Sequence, residues 1–223
     1  MKHSIDNDDI YKGFLGKRFN ISSDQLSQIN DYCIEIKNWS GRQNLVSKND
    51  LGHLYERHVL PSAFLTEIIK DEPAKIIADI GSGSGFPGII IKILLPEKSV
   101  YLTDSSRKKY LFLLELCEKL KVDCKIINER IENLARSDEI RFDLIVSRAV
   151  APLATLWRWS EKSLTQGGSL YVFKGGNIDL EFQQIEKMDL NITIIQPGSE
   201  WQSMGNMGKN KFLVHIRRKN GHG

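Results

Sequence analysis

At 223 residues the chain is long enough for one sizeable domain, and its 31 Lys and Arg against 28 Asp and Glu leave a net charge of only +3. That balance permits nucleic-acid binding without arguing for it. Three cysteines without paired spacing argue against a disulfide framework, no apolar run is long enough to span a membrane, and no signal-peptide pattern opens the chain. We therefore expect a cytoplasmic protein.

The first third of the chain has helical patterns. Residues 22–25 have the form of a capping box, and the apolar spacing after them predicts an amphipathic helix that buries Cys33. Residues 50–69 predict one or two helices, the second beginning at Pro61. The first 21 residues give no clear prediction.

A strand, a glycine turn and a helix follow one another over residues 76–91. The apolar run 76–80 is of buried-strand type, alternating glycines follow it, and apolar residues resume after Pro87, which suits the first turn of a helix. Such a turn presents bare backbone and the positive end of a helix dipole to a nucleotide-type ligand.

Two cofactor classes satisfy the glycine spacing. Three glycines from Gly83 to Gly88 formally match the dinucleotide fingerprint G-x-G-x-x-G. Asp79, with alternating glycines from Gly81 onward, also matches D-x-G-x-G-x-G, the usual loop of S-adenosylmethionine (SAM) methyltransferases. Asp104 closes the next apolar run and suits ribose hydroxyls in either case. A glycine turn that only packs on its helix ranks third.

Strands and helices alternate through the rest of the chain, which predicts an α/β fold with a doubly wound, mainly parallel sheet. We expect residues 1–74 to be a helical extension packed on a core domain of residues 75–223. The helix that begins at Arg107 is expected to turn Leu111 and Leu114 inward. Further strands are predicted at residues 100–103, 124–128, 141–147, 169–174, 190–195 and 212–217, and further helices at 129–134, 153–164 and 179–188.

Two features of the second half favour SAM over a nicotinamide cofactor. The turn Leu-x-x-Gly-Gly-x-Leu at residues 164–170 is typical of SAM methyltransferases, as is the Phe-Asp-apolar-apolar strand that begins at Phe142. This strand ends in Ser147-Arg148-Ala149. It has no Pro-Cys, so methylation of pyrimidine carbon-5 has no nucleophile, and no Asn/Asp-Pro-Pro-aromatic motif for exocyclic amines.

Together these motifs resemble the RsmG (GidB) family of bacterial small-subunit rRNA methyltransferases, from about residue 26 to residue 217. The glycine loop with Phe-Pro-Gly and the Ser-Arg-Ala motif are quite specific in combination. The matching motifs are Asn44-Leu45, Arg57-His58-x-x-x-Ser62, Asp79-Ile80-Gly81-Ser82-Gly83-Ser84-Gly85-Phe86-Pro87-Gly88, Asp104-Ser105, Ser147-Arg148-Ala149-Val150-Ala151-Pro152 and Lys174-Gly175.

The resemblance implies a cytoplasmic enzyme with a SAM-dependent methyltransferase sheet that makes 7-methylguanine at nucleotide 527 of 16S rRNA in the small ribosomal subunit. It also implies a set of SAM contacts, to which Gly83 and Asp104 are added on physical grounds. Arg148 is in addition the candidate catalytic residue, no metal site is expected, and we expect a monomer. The contacts that the resemblance implies are Gly81, Phe86, Ile131, Glu132 and Arg148.

Guanine N7 has a free lone pair that can attack the sulfonium methyl directly, so alignment matters more than a general base. One departure from the family is that Pro61 stands where an Asp is usual, so any role of that carboxylate is absent or moved. The rival interpretation is a SAM methyltransferase of a small molecule. A nicotinamide-binding protein ranks third.

Overall fold

The computed structural model describes residues 7–134, 140–148, 150–204 and 211–219. The predicted capping box is present: the Ser22 hydroxyl accepts the Gln25 N–H, and the Gln25 side chain accepts the Ser22 N–H. It begins helix α2 (Ser23–Trp39), which buries Cys33 as predicted. Pro61 lies in the first turn of helix α3 (Leu60–Ile69), and a 3₁₀ turn and a π turn lead into this helix without a break.

The strands of the described residues form one sheet in the order β3-β2-β1-β4-β5-β7-β6. The pairs from β3 to β5 are parallel, and β7 is antiparallel to both β5 and β6. This confirms the doubly wound, mainly parallel sheet. The strands are β1 (Ile76–Ile80), β2 (Ser99–Thr103), β3 (Cys124–Ile127), β4 (Phe142–Arg148), β5 (Leu164–Gly175), β6 (Leu190–Ile195) and β7 (Lys211–Arg218).

Side chains that alternate along each strand divide the core between the two faces of the sheet. The helices are α1 (Asn7–Phe19), α2 (Ser23–Trp39), α3 (Leu60–Ile69), α4 (Gly88–Leu94), α5 (Arg107–Leu120), α6 (Ile131–Leu134), α7 (Leu153–Ser160), α8 (Asp179–Ile185) and α9 (Ser199–Gln202). Ile77 belongs to the cluster under α1 to α5, whereas its neighbour Ala78 belongs to the cluster under α6 to α8.

The helices before β1 share the core of the sheet. Ile29 of α2 and Leu65 of α3 are fully buried in the same cluster as Ile91 of α4 and Leu102 of β2. A division of the chain at residue 74 stays a prediction.

The inward face predicted for α5 is wrong in part. Leu111 and Leu114 are 48% and 40% exposed, whereas Phe112, Leu113 and Leu116 are buried. Apolar residues occupy every position from 110 to 114, so two overlapping stripes fit the helical period. Contact with the sheet selects the stripe that begins at Phe112.

Candidate cofactor site and the neighbouring cavity

The loop from β1 to α4 is closed around Asp79. This residue is only 1% exposed, and its Oδ2 accepts the Gly88 N–H at 2.9 Å. Its Oδ1 is buried without a hydrogen-bond partner. Burial raises the pKa of Asp79 to about 7, although the Gly88 N–H acts in the opposite direction. The N-terminus of α4 therefore faces a buried carboxyl group of the chain itself.

Gly81 is required where the loop leaves β1. Its φ of +68° lies in the left-handed region, and a Cβ added there would lie 2.6 Å from Cγ2 of Val150. Its N–H donates to the Thr103 carbonyl at 2.9 Å, which ties the loop to the end of β2. Glycine lets this loop stay in contact with the segment after β4 without a shift of the Val150 side chain.

A cavity of about 420 Å³ opens at the carboxyl ends of β1, β2 and β4. The strand order reverses between β1 and β4, which is where open α/β sheets bind their ligands. We call this space the first cavity. It is lined by Ile80, Gly81, Thr103, Asp104, Ser105, Lys109, Glu129, Arg130, Ile131, Glu132, Arg148, Val150 and Trp159.

Asp104 is held in a fixed orientation on the wall of the first cavity. Its Oδ2 accepts the Gly83 N–H at 3.0 Å and its Oδ1 accepts the Ser106 N–H at 2.8 Å. Lys109 places its ammonium group 3.7 Å from Oδ2. An ionised carboxylate has about four acceptor positions, so two remain for a pair of hydroxyl groups. This arrangement suits the two hydroxyls of a ribose.

The structure brings five of the predicted site residues together on the wall of the first cavity: Gly81, Asp104, Ile131, Glu132 and Arg148. The other two do not line it. Gly83 acts through its backbone on Asp104, and the Phe86 ring is buried against Tyr32 and His58, with ring centroids 4.6 and 5.0 Å away. The roles of all seven in cofactor binding stay predictions.

Arg148 ends β4 and is held by two residues from the segment before α3. One amino group donates to the Arg57 carbonyl at 2.6 Å, and the other donates to Nδ1 of His58 at 3.0 Å. Burial lowers the pKa of Arg148, and the nearby Asp50 carboxylate acts in the opposite direction. No carboxylate forms an ion pair with Arg148 among the described residues, and Ala149 of the predicted motif lies outside them.

His58 is neutral at physiological pH in this arrangement. Burial, followed by the Arg148 charge, lowers its pKa to about 4. Because Nδ1 accepts from Arg148, the ring hydrogen lies on Nε2, which is 3.5 Å from Oδ2 of Asp50. Burial disfavours the charge on Asp50, but hydrogen bonds led by that of Arg57 lower its pKa to about 2. Asp50 is thus the carboxylate that lies beside Arg57 and His58. Pro61, which stands where the family usually has an Asp, lines a second cavity.

We call this space the second cavity. It has a volume of about 210 Å³ and lies at the same edge of the sheet, next to the end of β5 and the start of β7. Arg148 lines both cavities and is their common wall. The residues that line the second cavity are Pro61, Phe64, Arg148, Phe173, Lys174, Gly175, Pro197, Lys211 and Phe212.

The first cavity fits SAM better than a dinucleotide. A dinucleotide places its pyrophosphate on an open helix N-terminus. Here the Asp79 carboxyl occupies the Gly88 N–H at that position. A SAM molecule carries no phosphate, and its ribose and amino-acid carboxylate have suitable partners in Asp104 and Arg148. Trp159 and Ile131 offer apolar surface for an adenine ring.

Trp159 lines the first cavity but is not among the predicted site residues. Trp157 and Trp159 lie two residues apart on α7, so they point to different sides of the helix. Trp157 is 1% exposed, whereas Trp159 is half-buried beside the first cavity. Nothing local marked the aromatic residues of the second cavity, since each is an ordinary apolar residue of its own helix or strand.

Comparisons with known proteins show which family the sequence matches. A family model described as rRNA small subunit methyltransferase G (GidB) matches residues 25–196. Ribosomal RNA small subunit methyltransferase G of Cytophaga hutchinsonii is 33% identical over 185 residues, covering 77% of this chain and 86% of the relative. The protein of the same name from Desulfitobacterium hafniense is 35% identical over 176 residues, covering 77% of this chain and 72% of the relative.

Solved structures show the same fold at low identity. An O-methyltransferase from Bacillus cereus in complex with SAH matches with a TM-score of 0.62 and 14% identity, over 93% of this chain and 96% of the other. A ribosomal protein L11 methylase from Lactobacillus delbrueckii subsp. bulgaricus matches with a TM-score of 0.54 and 22% identity, over 71% and 77%. No helix in the described part of the chain combines the length and apolarity that crossing a membrane requires.

Proposed function

The chain belongs to the rRNA small subunit methyltransferase G family and is a SAM-dependent rRNA methyltransferase, and from this premise we propose that it forms 7-methylguanine at nucleotide 527 of 16S rRNA. The proposed substrate is the small ribosomal subunit, and the proposed cofactor contacts are those on the wall of the first cavity. The proposed state is a monomer in the cytoplasm.

The choice of N7 is supported by the groups that the structure describes around the two cavities, which include no thiol nucleophile and no imidazole with a free lone pair. Methylation of pyrimidine carbon-5 requires a cysteine nucleophile. Cys33 is buried in α2, and Cys117 and Cys124 lie together between α5 and β3, so no thiol faces either cavity. The imidazole nearest to the common wall, His58, already uses its free lone pair to accept from Arg148. Guanine N7 needs neither group, because its own lone pair is the nucleophile.

In this mechanism the residues of the chain bind and orient. Bound SAM supplies an electrophilic methyl group on a sulfonium. Asp104 would accept hydrogen bonds from the ribose hydroxyls, and Gly81 keeps the loop close to Val150 on the wall of the first cavity. Arg148, fixed by Arg57 and His58, keeps its guanidinium at the junction of the two cavities. Positioning of this kind can contribute about 7–11 kcal/mol to the lowering of a barrier.

The test uses 30S subunits from cells that lack this modification. Purified protein and SAM with a labelled methyl group are added, the 16S rRNA is digested, and the nucleosides are separated by mass spectrometry. We expect one labelled nucleoside, 7-methylguanosine. Label in 5-methylcytidine or N6-methyladenosine would contradict the proposal, and label in metabolite extracts but not in 30S subunits would favour the small-molecule alternative.

A further inference from the structure

We propose that the second cavity is the pocket that receives the target base, and that it selects guanine because its polar side chains are all hydrogen-bond donors, set between apolar walls. This inference rests on the proposed function and names the site where its substrate binds. It starts from position: the second cavity meets the first at Arg148, so a ring inside it lies next to the ligand of the first cavity.

The size of the second cavity suits one planar ring system. Its volume of about 210 Å³ is half that of the first cavity, which is too little for a second nucleoside cofactor. An enzyme that modifies a base inside folded RNA must take that base out of its stack and hold it between aromatic or apolar side chains. Phe64 and Pro61 of α3 and Phe173 of β5 supply such walls.

Phe173 is the wall residue best placed to stack on a base. Phe64 is 4% exposed and packs edge-on against Trp201, with ring centroids 5.5 Å apart, so it belongs largely to the core. Phe173 is only half-buried, and it pairs with Leu213 just before β5 ends at the cavity. A half-buried ring at the end of a strand can offer one face to a ligand.

The polar side chains of the second cavity are all cationic donors. Lys174 is occupied, since its ammonium group pairs with Glu181 at 2.7 Å and donates to the Ala151 carbonyl at 2.9 Å. Arg148 uses two of its five N–H donors on Arg57 and His58, so three remain. Lys211 adds a further ammonium group, whose pKa is lowered by burial and by the nearby Arg148 charge. Among the described residues no carboxylate lines this cavity.

This set of donors distinguishes the bases. Guanine presents two acceptors, O6 and N7, on one edge, whereas adenine and cytosine present an amino group there and uracil presents the single acceptor O4. An amino group facing Arg148 would place donor against donor. A donor from Arg148 to O6 leaves the N7 lone pair free, on the same edge of the ring and beside the common wall. The selectivity and the position of the reacting atom therefore follow from the same contact.

Binding is tested apart from methyl transfer. The protein, saturated with S-adenosylhomocysteine so that no transfer occurs, is irradiated with 6-thioguanosine 5′-monophosphate, and the crosslinked peptides are identified by mass spectrometry. We expect crosslinks on the peptides of Arg148, Phe64 and Phe173, and we expect guanosine monophosphate to suppress them at least tenfold better than adenosine monophosphate. Crosslinks confined to residues that line the first cavity alone, or equal suppression by the two nucleotides, would overturn the proposal.

Phe173→Leu then tests the stacking wall, because it removes the ring but keeps apolar volume. Phe182→Leu is the matched control, since Phe182 is equally half-buried but packs in the other cluster and lines neither cavity. We expect Phe173→Leu to lower crosslinking, and kcat/KM on 30S subunits, about tenfold, within the range of base stacking on aromatic side chains. Its melting temperature and S-adenosylhomocysteine affinity should match those of the control.

The outcomes distinguish a failure of this inference from a failure of the proposed function on which it rests. Guanine-selective crosslinks at Phe173 in a protein that does not methylate 30S subunits would retain the pocket and refute the rRNA substrate. Methylation of 30S subunits with unchanged crosslinking and rate in Phe173→Leu would retain the function and refute the pocket. If Phe173→Leu melts early, Phe212→Leu on the facing strand is used in its place.

Discussion

Asp79→Asn tests the buried carboxyl group on which the cofactor loop closes. In the folded protein burial raises the pKa of Asp79 from 3.8 to about 7, so between these values the folded state holds a proton that the unfolded state has released. The free energy of unfolding must therefore fall as pH rises through this window. Asparagine keeps an acceptor for the Gly88 N–H and cannot titrate. The free energy of unfolding of Asp79→Asn therefore has no contribution from the titration of this residue.

The magnitude follows from the two pKa values. With 1.36 kcal/mol per pKa unit, the penalty on the wild type is about 2 kcal/mol at pH 5 and about 4 kcal/mol at pH 8. Urea unfolding of both proteins at the two pH values should show that the wild type loses about 2 kcal/mol relative to Asp79→Asn between pH 5 and pH 8. The opposite pH dependence of His58, whose depressed pKa lowers stability as pH falls below 6.5, cancels in this difference. A stability difference that stays constant from pH 5 to pH 8 would refute the reasoning.

Three further predictions concern the first cavity. Asp104→Ala should weaken SAM binding, measured by calorimetry, by about 1–3 kcal/mol, because the ribose hydroxyls lose their acceptor; unchanged affinity would remove Asp104 from the site. Gly81→Ala should lose about 1–2 kcal/mol of stability because of its positive φ, and further stability because the new Cβ meets Val150. Gly176→Ala, at φ +75° with no described atom nearby, is the control and should show the first loss alone. Equal losses of stability in the two variants would contradict the clash. Arg148→Lys should melt near the wild-type temperature yet transfer methyl groups at least tenfold more slowly, because an ammonium cannot reproduce the planar fork; a rate loss that only follows the folded fraction would assign Arg148 a structural role.

The sequence predicted the elements whose patterns are local. Buried strands of a parallel sheet are near-continuous apolar runs, so β1 and β4 were recognisable without the fold. The carboxyl ends of parallel strands meet at one edge of the sheet, which is why Gly81, Asp104 and Arg148 were expected together and line one cavity.

What could not be predicted depends on contacts between distant segments. The hydrogen bond from Arg148 to His58 joins residues 90 positions apart, and the second cavity needs α3, β5 and β7 at one place. Neither the hydrogen bond nor the cavity produces a recognisable pattern of residues in the sequence. Helix α1 was missed for another reason: its apolar residues form no clear stripe, and Leu15 is its one fully buried residue among those described.

The central claim is tested most directly by mapping the modification in cells. The 16S rRNA of a strain that lacks this protein is compared with that of the same strain carrying either the wild-type gene or Arg148→Lys, by chemical cleavage at 7-methylguanine followed by primer extension. We expect a single stop at nucleotide 527 with the wild-type gene, none without it, and a stop of much lower intensity with Arg148→Lys. A stop of full intensity at nucleotide 527 in the strain that lacks the protein, or a stop only at another position when it is present, would contradict the account.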